Sequence, residues 1–292
     1  MIQVKNLSYG YNKSPVLIDF NFIEIEPKII GLWGRNGAGK TTLMSLLAGH
    51  FKPTQGQIEI LGKEPYDNLA ALENICYIQE NHPFGQNWKM EDVLKFGRYF
   101  HPNWDQKFAE YLIELFELPL SKKVTKFSKG MKTATQIVLG LASNASVTIL
   151  DEPTNGLDAV KRKQFYDVLL ESYETNPRLI LLSTHHIEEI QPLCESLLVV
   201  HNGRVLLNED MEVIREKGII LSGDTSSIKE IISNSKVIES TNIRSTQKVM
   251  LDETISNEWK KIAKDNNLLI EKATLQDYLI NVTSQNKLEV GE

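Results

Sequence analysis

Two short segments carry residue types that do phosphate chemistry together. The first, Gly34-Arg35-Asn36-Gly37-Ala38-Gly39-Lys40-Thr41-Thr42, fits the spacing G-x-x-x-x-G-K-[ST]. Its glycines let successive backbone N–H groups turn inward around phosphate oxygens, and the start of the following helix adds partial positive charge. Lys40 then reaches β- and γ-phosphates, and the Thr41 hydroxyl is a ligand for Mg²⁺. A glycine-rich turn without a ligand is the plain alternative. The buried strand predicted at Ile29–Trp33 and the helix predicted from Lys40 to Ala48 argue against it. The second segment, Val147-Thr148-Ile149-Leu150-Asp151-Glu152-Pro153, is an apolar run ending in two carboxylates. Asp151 is placed to organise Mg²⁺, and Glu152, pointing elsewhere, to orient or deprotonate an attacking water. Alone, this run reads equally well as a strand meeting a turn. Beside a phosphate loop it reads as the acidic half of one site.

The elements that must position these residues form an α/β pattern. Short apolar strands recur at Cys76–Gln79, Val147–Asp151 and Leu179–Ser183 with helical stretches between them, as in a covered, largely parallel sheet. Ahead of the glycine loop, Ile2–Leu7 and Val16–Ile25 alternate apolar and polar residues like half-exposed antiparallel strands. From about 80 to 145 the pattern predicts a helical insertion, with helices at Met90–Tyr99, Asp105–Phe116 and Ser128–Ser143. Residues 199–207 read as a hairpin turning at Asn202-Gly203. Past Gly218 the composition shifts toward Ser, Asn, Lys and Ile. Strands are predicted around Val237-Ile238 and Val249–Leu251, and helices at Ile255–Ala263 and Leu275–Val282. The expected division is a domain at 1–217 and a small α+β domain at 218–292.

Composition sets outer limits. The 292 residues, 41% hydrophobic and 24% charged, suffice for a sizeable core. A formal net charge of -6 argues against a nucleic-acid partner held by a broad basic surface. Cys76 and Cys194 lack metal-like spacing and suit buried thiols in a reducing cytoplasm. No apolar run approaches the length of a membrane span, and the N-terminus does not read as a signal peptide. Work at a membrane would need another chain to supply the span.

With these pieces in order, the sequence resembles the ABC ATPases. VTILDEPTNGLDA runs from Val147 to Ala159 and is preceded by Phe127-Ser128-Lys129-Gly130-Met131; Gln79 stands in CYIQE and His185 in LLSTHHIEE. Order and spacing match from Ile2 to about Leu206. A P-loop kinase or GTPase would account for Lys40 and Asp151 but for neither the helix-initiating segment nor the histidine. The resemblance implies a RecA-like core, an antiparallel β subdomain and a helical subdomain at about 80–145, followed by the small C-terminal domain.

The resemblance also assigns roles. Tyr11 matches the aromatic that stacks on adenine, with Tyr9 the lesser candidate; Gln79 matches the glutamine contacting Mg²⁺ and water. His185 matches the switch histidine at the γ-phosphate, with His186 a bystander, and Asp158 the loop crossing a dimer interface. Ser128, Lys129 and Gly130 match the signature facing ATP on the opposite subunit. They depart from the common LSGGQ: Phe127, Lys129 and Met131 replace Leu, Gly and Gln. A solvated lysine and one adding charge to the shared site are equally open readings of Lys129. Tyr11 could also be a plain edge-strand aromatic, Gln79 a solvated loop residue and His185 a structural histidine; the other motifs weigh against each.

What this implies is an ATP- and Mg²⁺-dependent motor subunit, in a homodimer or a heterodimer with a related ATPase, on the inner face of the membrane. A separate transmembrane permease would dock on the helical insertion near Trp88 and Trp104, and the resembling exporters of peptides point to export. A soluble ABC ATPase acting on a protein assembly is the alternative; the absence of a second ATPase module, a long coiled coil or a basic arm argues against it.

Overall fold

The computed structural model describes residues 1–12, 14–80 and 84–285. The chain opens with β1 (Ile2–Tyr11), β2 (Ser14–Glu24), β3 (Lys28–Trp33), α1 (Lys40–Leu47), β4 (Gln55–Ile60), α2 (Leu69–Leu72) and β5 (Ile75–Ile78). Helices α3 (Met90–Phe100), α4 (Gln106–Leu115) and α5 (Lys129–Ala142) follow, with no strand among the described residues between β5 and β6. Then come β6 (Val147–Leu150), α6 (Ala159–Thr175), β7 (Leu179–Ser183), α7 (Ile187–Ile190), β8 (Ser196–His201) and β9 (Arg204–Asp210).

A six-stranded sheet in the order β5-β6-β7-β3-β8-β9 is parallel across its first five strands. Every residue of β6 and β7 is buried, which is why both read as unbroken apolar runs without alternation. Strand β9 returns through Asn202 and Gly203, both with positive φ (48° and 74°), the backbone a two-residue hairpin of matching twist requires. A second sheet, β2-β1-β4, is antiparallel. Ile2, Val4, Leu7, Phe20 and Phe22 of this sheet share one core with Ile30, Leu32, Leu43, Ile149 and Leu181. Helices α4 and α5 of this segment start on side-chain caps: Asp105 accepts the Phe108 N–H at 2.9 Å and Ser128 the Met131 N–H at 3.2 Å. Trp104 packs over Gly97 and donates to Gln106 Oε1 at 3.0 Å, while Trp88 lies against Phe96. Among the described residues the exposed aromatics of this segment are Tyr99 (83%), Phe100 (51%) and Tyr111 (45%).

By contact density residues 1–185 and 190–208 form one compact unit, and residues 186–189 with those from Glu209 on a second. The second unit contains α8 (Met211–Arg215), β10 (Lys217–Asp224), α9 (Thr225–Ile231), β11 (Val237–Ile243), β12 (Thr246–Thr254), α10 (Asn257–Asp265), β13 (Leu269–Lys272) and α11 (Leu275–Gln285). Its antiparallel sheet runs β11-β12-β10-β13. Ile219, Leu221, Val249 and Leu251 face Ile228 of α9 and Ala263 of α10. From α11, the fully buried Tyr278 donates to Asp252 Oδ1 at 2.7 Å. Residues 186–189 join this unit through Glu188, whose carboxylate accepts the Gln276 N–H at 3.0 Å in the first turn of α11. Among the described residues no helix is long and apolar enough to cross a membrane.

Candidate functional site

Strand β3 delivers the glycine loop at its C-terminal end, where ligands bind in parallel sheets of this kind. Gly37 (φ 82°) and Gly39 (φ 107°) take the left-handed backbone that turns N–H groups inward, and Ala38 N–H closes the loop on Arg35 O at 3.0 Å. Gly34 cannot carry a side chain, since a Cβ there would come within 2.5 Å of Val200 O. The hairpin turn supports the loop: Gly203 N–H donates to Ala38 O at 3.2 Å and Ile18 N–H to Gly203 O at 2.9 Å. Lys40 lies over the loop, its Nζ donating to Gly34 O at 2.6 Å. Burial pushes the Lys40 pKa down, against the pull of Glu152 and Asp151.

The two carboxylates leave β6 in different directions, as their adjacency predicts. Asp151 is buried; its Oδ2 accepts the Thr41 hydroxyl at 2.9 Å and its Oδ1 the Ser183 hydroxyl at 2.8 Å. Burial raises its pKa, opposed by those two hydroxyls and by Lys40. Glu152 sits at φ 49°, a strained backbone for a non-glycine residue. Its N–H donates to Ser183 Oγ at 2.9 Å, and its Oε2 lies 2.8 Å from His185 Nδ1. With an ionised carboxylate as acceptor, Nδ1 carries the proton. Ser183 thus binds both acidic residues from the end of β7, two positions before His185.

The loop from Asn36 to Thr42 lines a cavity of about 640 Å³ with Val16, Glu80, Asp151, Glu152, Asn155 and His185. Arg35 sits on the loop at its exposed side. Gln79 is not among the lining residues: its Nε2 lies 3.4 Å from His50 Nδ1, and its carbonyl accepts from Gln136 Nε2 at 3.1 Å. Its neighbour Glu80 lines the cavity instead and accepts from Asn155 Nδ2 at 2.6 Å. Tyr11 also lies outside the lining, 44% exposed at the end of β1. Tyr9 and Phe51 hold its ring edge-on, at interplanar angles of 90° and 89°.

Ser128, Lys129, Gly130 and Asp158 line a separate cavity of about 340 Å³. Ser128 caps α5, and Asp158 caps α6 by accepting the Lys161 N–H at 2.9 Å. Lys129 stretches across Gly156 and donates to Asn155 Oδ1 at 3.4 Å, while Thr133 donates to the Asn155 carbonyl at 2.7 Å. Asn155 therefore joins the first turns of α5 to Glu80. Nothing in the sequence had set Asn155 or Ser183 apart from ordinary turn and strand-end residues.

The combination of a phosphate loop, paired strand-end carboxylates and a capped helix start has matches among known proteins. Residues 19–155 match the family model described as ABC transporter. An uncharacterized ABC transporter ATP-binding protein of Methanocaldococcus jannaschii is 32% identical over 221 residues, covering 74% of this chain and 80% of that protein. The lantibiotic transport ATP-binding protein SrtF of Streptococcus pyogenes is 29% identical, covering 73% and 92%. The solved structure of an ATP binding subunit of an ABC transporter superposes with a TM-score of 0.67 at 30% identity, covering 74% of this chain and 92% of that one. Site and similarity agree, and the chain belongs to the ABC transporter ATP-binding proteins.

Proposed function

We propose that this chain hydrolyses ATP at the P-loop cavity and that the work done is export by a separate membrane subunit. The observation carrying the catalytic part is the hydrogen-bonded run from Asp151 through Ser183 to Glu152 and on to His185. It separates two adjacent carboxylates into different tasks. Asp151 faces Thr41 beside Lys40, while Glu152 faces His185. Loop N–H groups and Lys40 bind the phosphates, with Lys40 leaving Gly34 O for a charged acceptor. The oxygen-only pair Thr41 and Asp151 suits a hard cation and would hold Mg²⁺, which would supply neutralisation of phosphate charge there. Glu152 orients and deprotonates the attacking water, and His185 fixes its carboxylate. Ser128, Lys129 and Gly130 lie outside that cavity. We infer that they serve ATP on a second ATPase subunit, identical or related, while Tyr11 stacks on the base and Gln79 leaves His50 to meet the metal and water.

Transport by a membrane partner draws support from the lantibiotic relative, which is named for lantibiotic transport. It draws further support from the exposed Leu69 (72%), Tyr99 and Phe100, beside a groove of about 410 Å³ lined by Leu72, Phe96 and Phe100. Contiguous exposed apolar surface marks an interaction site. The location that follows is the cytoplasmic face of the cell membrane. Copurification of the full chain from native membranes tests this. An integral membrane protein should accompany it and be lost on Tyr99→Glu with Phe100→Glu, ATP binding unchanged. Recovery of soluble partners alone would favour action on a protein assembly.

A further inference from the structure

A further cavity, of about 600 Å³, lies within the helical segment; it shares no residue with the nucleotide cavity or the groove at Phe100, and shares Met131 with the cavity at Ser128. Its floor is apolar: Leu94 of α3, Ile113 of α4, Leu118, Leu120 and, from the first turn of α5, Met131. Leu120 is 49% exposed, so the floor is open to a partner. The charged lining is of one sign. Glu110, Glu114 and Glu117 stand along one side, and no cationic side chain lines the cavity among the described residues. Glu110 accepts from Gln106 Nε2 at 2.8 Å, a neutral amide that leaves its charge in place.

Glu110 and Glu114 are one helical turn apart, and Glu117 follows just past the end of α4. Along α4 Glu110 and Glu114 are therefore about 6 Å apart, at about 1.5 Å per residue, and Glu117, at φ 55°, lies beyond the helix where the chain turns. A facing helix with basic residues at i and i+4 presents the spacing of Glu110 and Glu114, with a further basic side chain for Glu117 and its apolar stripe turned to the floor. A compact cation would meet one carboxylate and leave most of the row unpaired.

We propose that this cavity is a docking site for a basic amphipathic helix of a partner protein. The helix lays leucine-like side chains on Leu94, Ile113, Leu120 and Met131 and pairs its lysines or arginines with Glu110, Glu114 and Glu117. Because Met131 N–H is bonded to the Ser128 cap, the bound helix touches the turn that carries the signature residues.

A labelled 18-residue peptide of leucine and lysine at helical spacing, with a leucine–glutamate counterpart, tests this by fluorescence anisotropy on the full-length chain. The lysine peptide should bind at about 0.15 M salt and the glutamate peptide should not. Glu110→Gln with Glu114→Gln and Glu117→Gln should weaken binding by about tenfold or more. Leu120→Ser, at an exposed position, should also weaken it with ATP binding intact. The control is Asp167→Asn with Glu171→Gln and Glu174→Gln, an acidic row of the same spacing on α6, which should change nothing. Equal weakening by both triple variants means general charge attraction and overturns the proposal. So does unchanged affinity in Leu120→Ser, failure of the lysine peptide to bind, or occupation by tetraphenylphosphonium with the peptide excluded.

Discussion

Lys40 and Asp151 carry opposite charges into one partly buried site, and burial disfavours both charged forms. Without nucleotide the fold bears that cost, as sites built to receive charge do. The Asp151 pKa is raised in the fold, so the stability linked to it is fully present below the unfolded-state pKa and lost as pH rises through the folded value. Asp151→Asn should therefore raise the melting temperature of the nucleotide-free chain near neutral pH, by about 2–4 °C for each kcal/mol relieved. The gain should shrink as pH falls through the folded-state pKa. A melting temperature lowered at neutral pH would show that the hydrogen bonds from Thr41 and Ser183 outweigh the buried charge. At this scale the motif residues Lys40, Thr41, Asp151, Glu152 and His185 were legible in the sequence because their chemistry needs rare types at fixed spacing. Ser183, Asn155 and Glu80 were not, because their roles arise only where separate elements meet. The Gln79 amide lies on His50, and its neighbour Glu80 lines the cavity.

Helix α5 shows what an element contributes. Its start at Ser128 followed from the capping residue and the apolar spacing after it, and the cap is present. Ser128→Ala should cost about 1 kcal/mol of stability, the usual loss of an N-cap, read from denaturant unfolding. Lys129 lies against Asn155 of its own chain, which sharpens the choice between a solvated lysine and one serving the partner's ATP. On the proposed shared site, Lys129→Gly should weaken ATP-driven dimerisation and leave monomer affinity for ATP unchanged. Equal dimerisation constants at low salt would make it a surface residue. Other elements were hidden. Strand β4 is six residues after a Pro-Thr turn, with only two of them buried. Helix α9 is Thr- and Ser-rich, with poor intrinsic propensity, and starts because Asp224 accepts the Ser226 N–H at 2.9 Å. Inner strand β10 begins right after α8, so its apolar run Ile219–Leu221 reads as a continuation of helix.

At the scale of the whole chain, the P-loop, both carboxylates and His185 belong to the first unit, and the second holds a sheet and core of its own. A chain ended after Asn208 should keep ATP binding by equilibrium titration. We expect its self-association without nucleotide to drop in sedimentation, the second unit serving to hold two ATPase subunits together. Unfolding of the shortened chain would make the second unit part of the motor's stability instead. The central claim is that Glu152, positioned by Ser183 and His185, activates water for ATP hydrolysis. Phosphate release and ATP binding should be measured side by side on the chain copurified with its partners, as wild type and as Glu152→Gln. ATP affinity should be similar, turnover lower by about 10²–10⁴-fold, and an ATP-dependent dimer should accumulate in the variant. Turnover equal to wild type in Glu152→Gln would contradict the claim.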